Sequence, residues 1–221
     1  MTDTAAEVAL PTQTPGLSKL VTSYMPDFAD RLPGFLPPEK FMRWCLAYLG
    51  SRPKLAECRP ESVFVALLEC ASLGLEPGRT YHVVPFKGTA TGVVDYKGEA
   101  ELIGRAHRDR VTGRQYATVQ AELIRELDDF SWHPGENRIS HELDWRTGRG
   151  ALAGAYAYVQ YESGLRSRIV VMNAEQIGQH QAASRFGADS TSPWQTWPES
   201  MWLKCPIHQL RKTVPWSVEM S

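Results

Sequence analysis

The chain has 221 residues, of which 43% are hydrophobic, and its 24 Lys and Arg nearly balance its 25 Asp and Glu. This length and composition allow one sizeable core to be buried, which excludes disorder throughout. The net charge of −1 excludes a protein that coats nucleic acid by bulk positive charge, since such domains are clearly basic. Any site for a polyanion must therefore be local.

The cysteines and the first residues indicate the compartment. No C-x-x-C pair and no histidine pair with zinc spacing accompanies the four cysteines, Cys45, Cys58, Cys70 and Cys205. We interpret them as reduced thiols of a cytoplasmic protein. Residues 1–16 are rich in Thr, Ala and Pro and lack the basic and apolar parts of a secretion signal, so we expect a flexible arm. No apolar run is long enough for a membrane span.

Two helices are predicted early in the chain. "PPEKFMRWCLAYLG" has Pro38 in its first turn, an apolar face and a terminal glycine, Gly50. "RPESVFVALLECASLG" repeats this pattern, from Pro60 to Gly74. Two packed helices should therefore open the domain.

The pattern then changes to β-hairpins. "RTYHVVPF" and "ATGVVDY" flank a "KGT" turn, and "GALAGAYAYVQY" and "LRSRIVVM" flank "ESG". A helix over "KGEAELIGRAHR" and strand segments between residues 114 and 145 are expected between the hairpins, and Asn173 is expected to cap a later helix. Strands grouped in this way predict an α+β fold, an antiparallel hairpin-based sheet packed by helices.

Motifs for catalysis are absent from the sequence. "KGT" reverses the order that a phosphate-binding loop requires, and "HELDW" has Trp145 where a zinc protease has its second histidine. Five carboxylates could in principle bind Mg²⁺, but they follow no recognised order, and solvated charges or local ion pairs explain them better. They are Asp95, Glu99, Glu101, Asp128 and Asp129. We therefore predict a protein without a catalytic site, metal or cofactor.

The segment "MWLKCPIHQLRKTVPW" contains no acidic residue. Helical spacing gives it an apolar stripe and, beside it, a basic stripe that could face a phosphate backbone. The apolar stripe is Leu203, Ile207, Leu210 and Val214, and the basic stripe is Lys204, His208, Arg211 and Lys212. A solvated edge of an ordinary amphipathic helix is the alternative. Pro206 complicates this helix, because a proline inside a helix removes a backbone hydrogen bond, and the sequence leaves open whether it kinks the axis.

Other basic and aromatic residues are candidates for the same site. The cations are Lys87 and Lys97 beside the first hairpin, Arg105 on the helix after it, and Arg185. Tyr81, Phe86, Tyr96 and Trp194 could offer rings for stacking unpaired bases, although core packing is the more common role of such residues.

Five segments, in this order, resemble the RecT family of phage single-strand annealing proteins. They are "LLECASLGLEPG", "YHVVPF", "VVDYKGEAELIGRAHR", "GAYAYVQYESG" and "SPWQTWPESMWLKCPIHQLRKTVP". The ordered set is more specific than any single motif, above all Tyr-Lys-Gly opening a helix and Pro-Trp followed by Met-x-x-Lys and a terminal Lys-x-x-Pro. The resemblance covers residues 40 to about 215.

The resemblance implies ATP-independent binding of single-stranded DNA and annealing of complementary strands through a duplex intermediate. It also implies a homo-oligomer, as a ring or helical filament, working in a bacterial host cell beside a phage exonuclease and a host single-strand-binding protein. The matching motifs contain Lys97, Lys204, His208, Arg211 and Lys212. A plain single-strand-binding protein, a metal-dependent nuclease and a virion scaffold remain as alternatives.

The sequence also departs from the family pattern. The family commonly has Thr at the position of Cys205 and a basic residue at the position of His208, so we expect DNA affinity to depend on pH more than usual. We expect a single annealing and DNA-binding domain over residues 17–215. The tail, residues 216–221, is too short for a partner-binding extension.

Overall fold

A computed structural model describes residues 15–108, 112, 115–184 and 192–216. The chain divides into two compact units, of which unit 1 ends at Gly98 and unit 2 begins at Glu99. The prediction of one annealing domain over residues 17–215 stays a prediction. No helix in the described ranges is both long and apolar enough to cross a membrane.

Unit 1 combines helices with one β-hairpin. Its elements are α1 (Pro15–Ser23), α2 (Met25–Ala29), α3 (Pro38–Gly50), a 3-10 turn (Pro53–Glu57), α4 (Pro60–Leu73), β1 (Tyr81–Phe86), β2 (Thr89–Val94) and the start of α5 (Tyr96–Ala106). Helices α3 and α4 confirm the prediction, including their first-turn prolines and the left-handed Gly74 after α4. Helices α1 and α2 are not predicted, and α1 includes the last two residues of the expected arm.

Aromatic packing and a tyrosine hydroxyl hold unit 1 together. The buried ring of Phe28 lies 5.7 Å from that of Phe41 and 5.5 Å from that of Phe64. At the edge of β1, the Val83 amide donates to the Tyr48 hydroxyl at 2.9 Å, and this hydroxyl donates to the Val83 carbonyl at 3.2 Å. Since both backbone groups are paired, this position of the edge strand is closed to another strand.

The hairpin leads directly into the Tyr-Lys-Gly motif. Lys87 and Gly88 both have positive φ, 46° and 74°, as a two-residue hairpin turn requires. After β2, the Asp95 carboxylate accepts a hydrogen bond from the Lys97 amide at 3.4 Å and so satisfies a donor at the start of α5. Gly98 is buried, and a Cβ there would lie 2.3 Å from the Thr80 carbonyl oxygen. The glycine of the motif is thus needed for close packing.

Unit 2 is a three-stranded antiparallel sheet with helices and a separate β-ribbon. Its elements are the rest of α5, β3 (Ala117–Arg125), β4 (Asp129–His133), a 3-10 turn (Pro134–Glu136), β5 (Arg138–Glu142), β6 (Leu152–Tyr161), β7 (Val170–Asn173), α6 (Ala174–Ala183), α7 (Pro193–Thr196) and α8 (Pro198–Leu210). The sheet order is β3-β6-β7, and β4 pairs with β5 to form the separate ribbon. These hairpins and helices confirm the α+β prediction. Asn173 caps α6 in a capping box, as expected.

Each face of this sheet is covered by a different element. Helix α8 packs against all three strands, and α6 against β6 and β7. The core on that side contains the buried residues Ala155, Met172, Ile177, Trp194 and Cys205. On the other face, Ile124, Tyr156 and Ile169 pack with Phe130 and Ile139 of the ribbon. One side of α8 is therefore packed on the sheet, and only its opposite side can contact a ligand.

A buried carboxylate ties the ribbon to the sheet. Asp128, whose side chain is 1% exposed, accepts hydrogen bonds from Arg149 at 2.7 and 2.6 Å, from His141 at 3.0 Å and from the Arg125 amide at 2.7 Å. His141 is also hydrogen-bonded to the Tyr156 hydroxyl at 3.2 Å. The Arg149 hydrogen bonds outweigh burial and hold the pKa of Asp128 well below its usual range. Asp128 therefore remains a carboxylate under all ordinary conditions.

We predict that Gly98→Ala destabilises the chain by about 3 kcal/mol, because the added methyl group would collide with a backbone oxygen that cannot move aside cheaply. Gly178→Ala in α6 is the matched control, since no atom lies within 4 Å of its added Cβ. It should be neutral or stabilise the helix by about 1 kcal/mol. Urea unfolding followed by circular dichroism measures both, and equal stability of the two variants would contradict the close packing.

We predict that Asp128→Asn lowers the free energy of unfolding at pH 7 by about 2 kcal/mol, because it leaves the partly buried Arg149 guanidinium without its anion. A carboxylate with a lowered folded-state pKa stabilises the fold above its unfolded pKa of about 3.9, and this contribution is lost as the pH falls towards the folded-state value. The variant should therefore lose less stability than the wild-type chain between about pH 5 and pH 2. Urea unfolding at several pH values measures this difference. An equal loss of unfolding free energy with falling pH in both chains would contradict the stabilising role of the Asp128 carboxylate.

Candidate nucleic-acid interface

The basic stripe lies at the C-terminal end of α8. Lys204 and His208 are on the helix, and Arg211 and Lys212 follow its last residue, Leu210. The helix continues through Pro206, which is buried with Ile207 and Leu210 on the apolar side. The predicted division of this segment into a buried and a basic side is thus confirmed, and buried Val214 extends the apolar side beyond the helix. Contact of the basic side with DNA stays a prediction.

Two of these cations share one buried oxygen. The Nδ1–H of His208 donates a hydrogen bond to Oε1 of Glu99 at 2.8 Å, and Nη1 of Arg211 forms an ion pair with the same oxygen at 3.2 Å. The Glu99 side chain is only 3% exposed, whereas those of His208 and Arg211 are 38% and 27% exposed. The carboxylate therefore holds both cations from the protein side while their other surfaces remain at the solvent.

A second histidine, His180, lies close to this end of α8. His180 of α6 accepts a hydrogen bond at its Nε2 from the Gln209 amide at 3.2 Å. Burial lowers the pKa of His180, and the positive charges of His208 and Lys212 lower it further. A neutral His180 suits this hydrogen bond, because the amide nitrogen of Gln209 can only donate.

A helix C-terminus favours cations for a purely structural reason. The partial negative charge of the last carbonyl groups is stabilised by basic side chains in the last turn, typically by about 0.3–1 kcal/mol each. His208 lies in that turn of α8. Part of the role of the basic stripe is therefore to stabilise the helix that presents it.

The ring of Trp216 lies beside Arg211 of the basic stripe. The Arg211 guanidinium lies 5.1 Å from the centre of this ring, which is part of a 44% exposed residue. Two of the rings expected to stack on bases are instead buried: Tyr81 is fully buried in unit 1, and Trp194 lies in the core beneath α8. Of the two roles considered for these rings, core packing is the one observed, because both complete a hydrophobic core.

The candidates in unit 1 lie on its surface. Lys87 is exposed at the hairpin turn, with its ammonium 5.5 Å from the centre of the Phe86 ring. Lys97 is exposed in the first turn of α5, 5.7 Å from the centre of the Tyr96 ring. Each lysine thus stands beside a partly exposed ring, a combination that suits single-stranded nucleic acid. Their contact with DNA stays a prediction.

The other two predicted cations differ from these. Arg105 is buried, and its guanidinium pairs with Glu101 one turn earlier on α5. In this conformation it is engaged inside the protein and is not offered to a phosphate. Arg185 lies outside the described residues.

The acidic residues give no metal site in the part of the chain that the structure describes. No group of three or more His, Cys, Asp or Glu there could hold a metal ion. Glu99 and Asp128 are buried in ion pairs, which confirms local pairing as the role of these two carboxylates. His141, the histidine of "HELDW", hydrogen-bonds to Asp128.

Glu99, His180 and Trp216 were not among the predicted site residues. A signal for Glu99 was present, because helical spacing puts it on the same face of α5 as Leu102 and Ile103, which are both fully buried. An acidic residue in an apolar stripe indicates a buried charge that needs a partner. No comparable local pattern exists for His180 or Trp216.

Comparison with known proteins places this geometry in a family context. The RecT family model matches residues 39–221. Protein RecT of Escherichia coli (strain K12) is 28% identical over an alignment of 206 positions, which covers 87% of this chain and 72% of that protein. The match includes the hairpin, the Tyr-Lys-Gly motif and all of α8.

We predict that the cysteines, Cys205 included, react slowly with a thiol reagent at pH 8 in the folded chain. All four are buried, and burial raises the pKa of each thiol, that of Cys205 to about 11. Lys212→Cys, at an exposed position after the same helix, should add one fast-reacting thiol per chain. Colorimetric thiol titration measures both. Fast labelling of Cys205 would contradict its position on the buried side of α8.

Proposed function

The chain belongs to the RecT family, and on that premise we propose that it binds single-stranded DNA and anneals complementary strands in phage-type homologous recombination. Single-strand annealing in recombination is the role of this family. The proposed reaction is base pairing, so it requires neither ATP hydrolysis nor a catalytic residue. Its place of action would be the cytoplasm of a bacterial host.

The observation that carries this proposal is the group of cations at the C-terminal end of α8. Lys204 and His208 lie on α8, whose other side is buried against the sheet, and Arg211 and Lys212 directly follow its last residue. Cations that neutralise phosphates release condensed counterions, and this release drives binding without reading sequence. A chain with a net charge of −1 can bind a polyanion only through such a local group.

The same group suggests how annealing proceeds. Two DNA strands repel each other through their phosphates, and cations near both backbones lower this repulsion. Lys and Arg contacts to phosphate leave the base edges free, so Watson-Crick pairing tests the sequence and the protein does not. The exposed part of the Trp216 ring offers a surface on which an unpaired base could stack.

We further propose that copies of the chain assemble along the DNA as a ring or helical filament. Several large apolar residues of unit 2 are open to solvent in the single chain, with Leu127 74%, Trp145 78% and Trp197 70% exposed. Such exposure is typical of protein interfaces. Assembly would multiply weak contacts along one strand. A phage exonuclease and a host single-strand-binding protein are the further partners that we propose.

An annealing assay tests the proposed function directly. Two complementary oligonucleotides, one with a donor and one with an acceptor dye, are mixed with the protein without ATP. We expect faster duplex formation than without protein, in EDTA as well as in Mg²⁺, and strands of unchanged length on a denaturing gel. An unchanged annealing rate would refute the proposal.

The same assay separates the alternatives. A plain single-strand-binding protein would bind the oligonucleotides without accelerating their pairing. A metal-dependent nuclease would shorten the strands when Mg²⁺ is present. A scaffold would assemble equally well with and without DNA, which electron micrographs would show.

We predict that Lys204→Ala and Arg211→Ala each weaken binding to single strands of any sequence. Removing one cation that neutralises a phosphate should reduce the slope of log affinity against log salt by about 0.7, which corresponds to roughly fivefold weaker binding at 0.1 M salt. Fluorescence anisotropy with labelled oligonucleotides over a range of salt concentrations measures both quantities.

Lys19→Ala is the matched control, because this lysine is exposed on α1 and its replacement makes the same change in net charge. We expect its affinity and salt slope to stay close to those of the wild-type chain. If Lys204→Ala and Arg211→Ala behave like this control, the basic stripe is a solvated helix end and does not bind DNA.

A further inference from the structure

Glu99 is buried in an unusual state of hydrogen bonding. Its Oε1 receives both the His208 hydrogen bond and the Arg211 ion pair. Its Oε2 is also buried and has no hydrogen-bond partner among the described residues. Buried carboxylates are normally paired through both oxygens, because removing a charge from water is costly. Both cations of Glu99 are instead drawn to a single oxygen.

This arrangement fixes two cations at one point. Arg211 follows His208 by three residues, so the two side chains leave the backbone on neighbouring turns. When both are charged they repel each other, and each has several rotatable bonds. A common anion between them offsets the repulsion and restricts both side chains. No second side-chain hydrogen bond to either residue occurs in the described part of the chain, so their remaining nitrogens are available to a ligand.

We propose that Glu99 is a positioning residue for DNA binding: its buried carboxylate orients His208 and Arg211 so that both contact the phosphate backbone. This inference rests on the proposed function. Cations that are already ordered lose less conformational entropy when they bind than mobile ones do. The carboxylate therefore favours binding to a polyanion, even though its own charge has the same sign as the ligand.

The sign of a mutational effect distinguishes positioning from simple charge. Glu99→Gln removes one negative charge next to the proposed interface. If only the electrostatic field matters, this change strengthens DNA binding. If Glu99 positions the two cations, the same change weakens binding and lowers the salt slope, because fewer phosphates are then neutralised. The two mechanisms thus predict opposite results for one variant.

The test uses the full chain and a labelled oligothymidine, with anisotropy measured over a range of salt concentrations. For Glu99→Gln we expect at least about fivefold weaker binding at 0.1 M salt, and a slope smaller by about 0.7 for each phosphate that is no longer neutralised. Glu175→Gln is the matched control, since Glu175 is exposed on α6 and loses the same charge. Its binding should be equal to or tighter than that of the wild-type chain.

Glu99→Asp distinguishes positioning from charge independently, and it can be used even if Glu99→Gln does not fold. It keeps the charge but withdraws the carboxylate by one methylene group, so positioning predicts weaker binding and a lower slope, whereas charge alone predicts no change. Circular dichroism and thermal unfolding identify the folded variants. A general structural role would lower the melting temperature of a folded variant but leave its salt slope unchanged.

The outcomes are separable. Wild-type affinity or tighter binding in Glu99→Gln or, where that variant does not fold, in Glu99→Asp would overturn the positioning role. An unchanged salt slope in a folded variant would overturn it as well. Failure of the wild-type chain to bind the oligonucleotide would instead overturn the proposed function.

Discussion

The ion pair of Glu99 with His208 and Arg211 determines how the C-terminal end of α8 meets solvent. It joins the first turn of α5 to the end of α8, with 109 positions of sequence between Glu99 and His208. The apolar side of α8 is held by the sheet, and its basic end is held by this carboxylate. The basic side chains are therefore attached to a supported helix, as the proposed binding of a flexible polyanion requires.

Unit 2 contains two buried carboxylates, each of them shared by an arginine and a histidine, and they differ in how completely they are paired. Asp128 accepts hydrogen bonds at both oxygens from Arg149, and His141 and a backbone amide complete its set. Glu99 uses one oxygen. A fully paired carboxylate is suited to joining structural elements, as Asp128 joins the ribbon to the sheet. A partly paired carboxylate beside partly exposed basic side chains suits the positioning role that we propose for Glu99.

The departures from the family pattern at Cys205 and His208 have different consequences in the structure. Cys205 lies on the buried side of α8, in the core with Trp194, so the departure expected there concerns packing. His208 lies at the solvent side and shares Glu99 with Arg211. Only the second departure belongs to the proposed interface. Its expected effect on the pH dependence of DNA affinity stays a prediction.

Local patterns in the sequence determined the helices α3, α4 and α8, the hairpins and the division of α8 into an apolar and a basic side, because each depends on residues a few positions apart. First-turn prolines, turn glycines and 3.6-residue periodicity all act at that range. Only the tertiary structure decided which polar and aromatic residues are buried. Glu99 meets His208, Tyr81 and Trp194 enter cores, and Arg105 turns to Glu101, because burial depends on which distant surfaces pack together, and no local pattern encodes that.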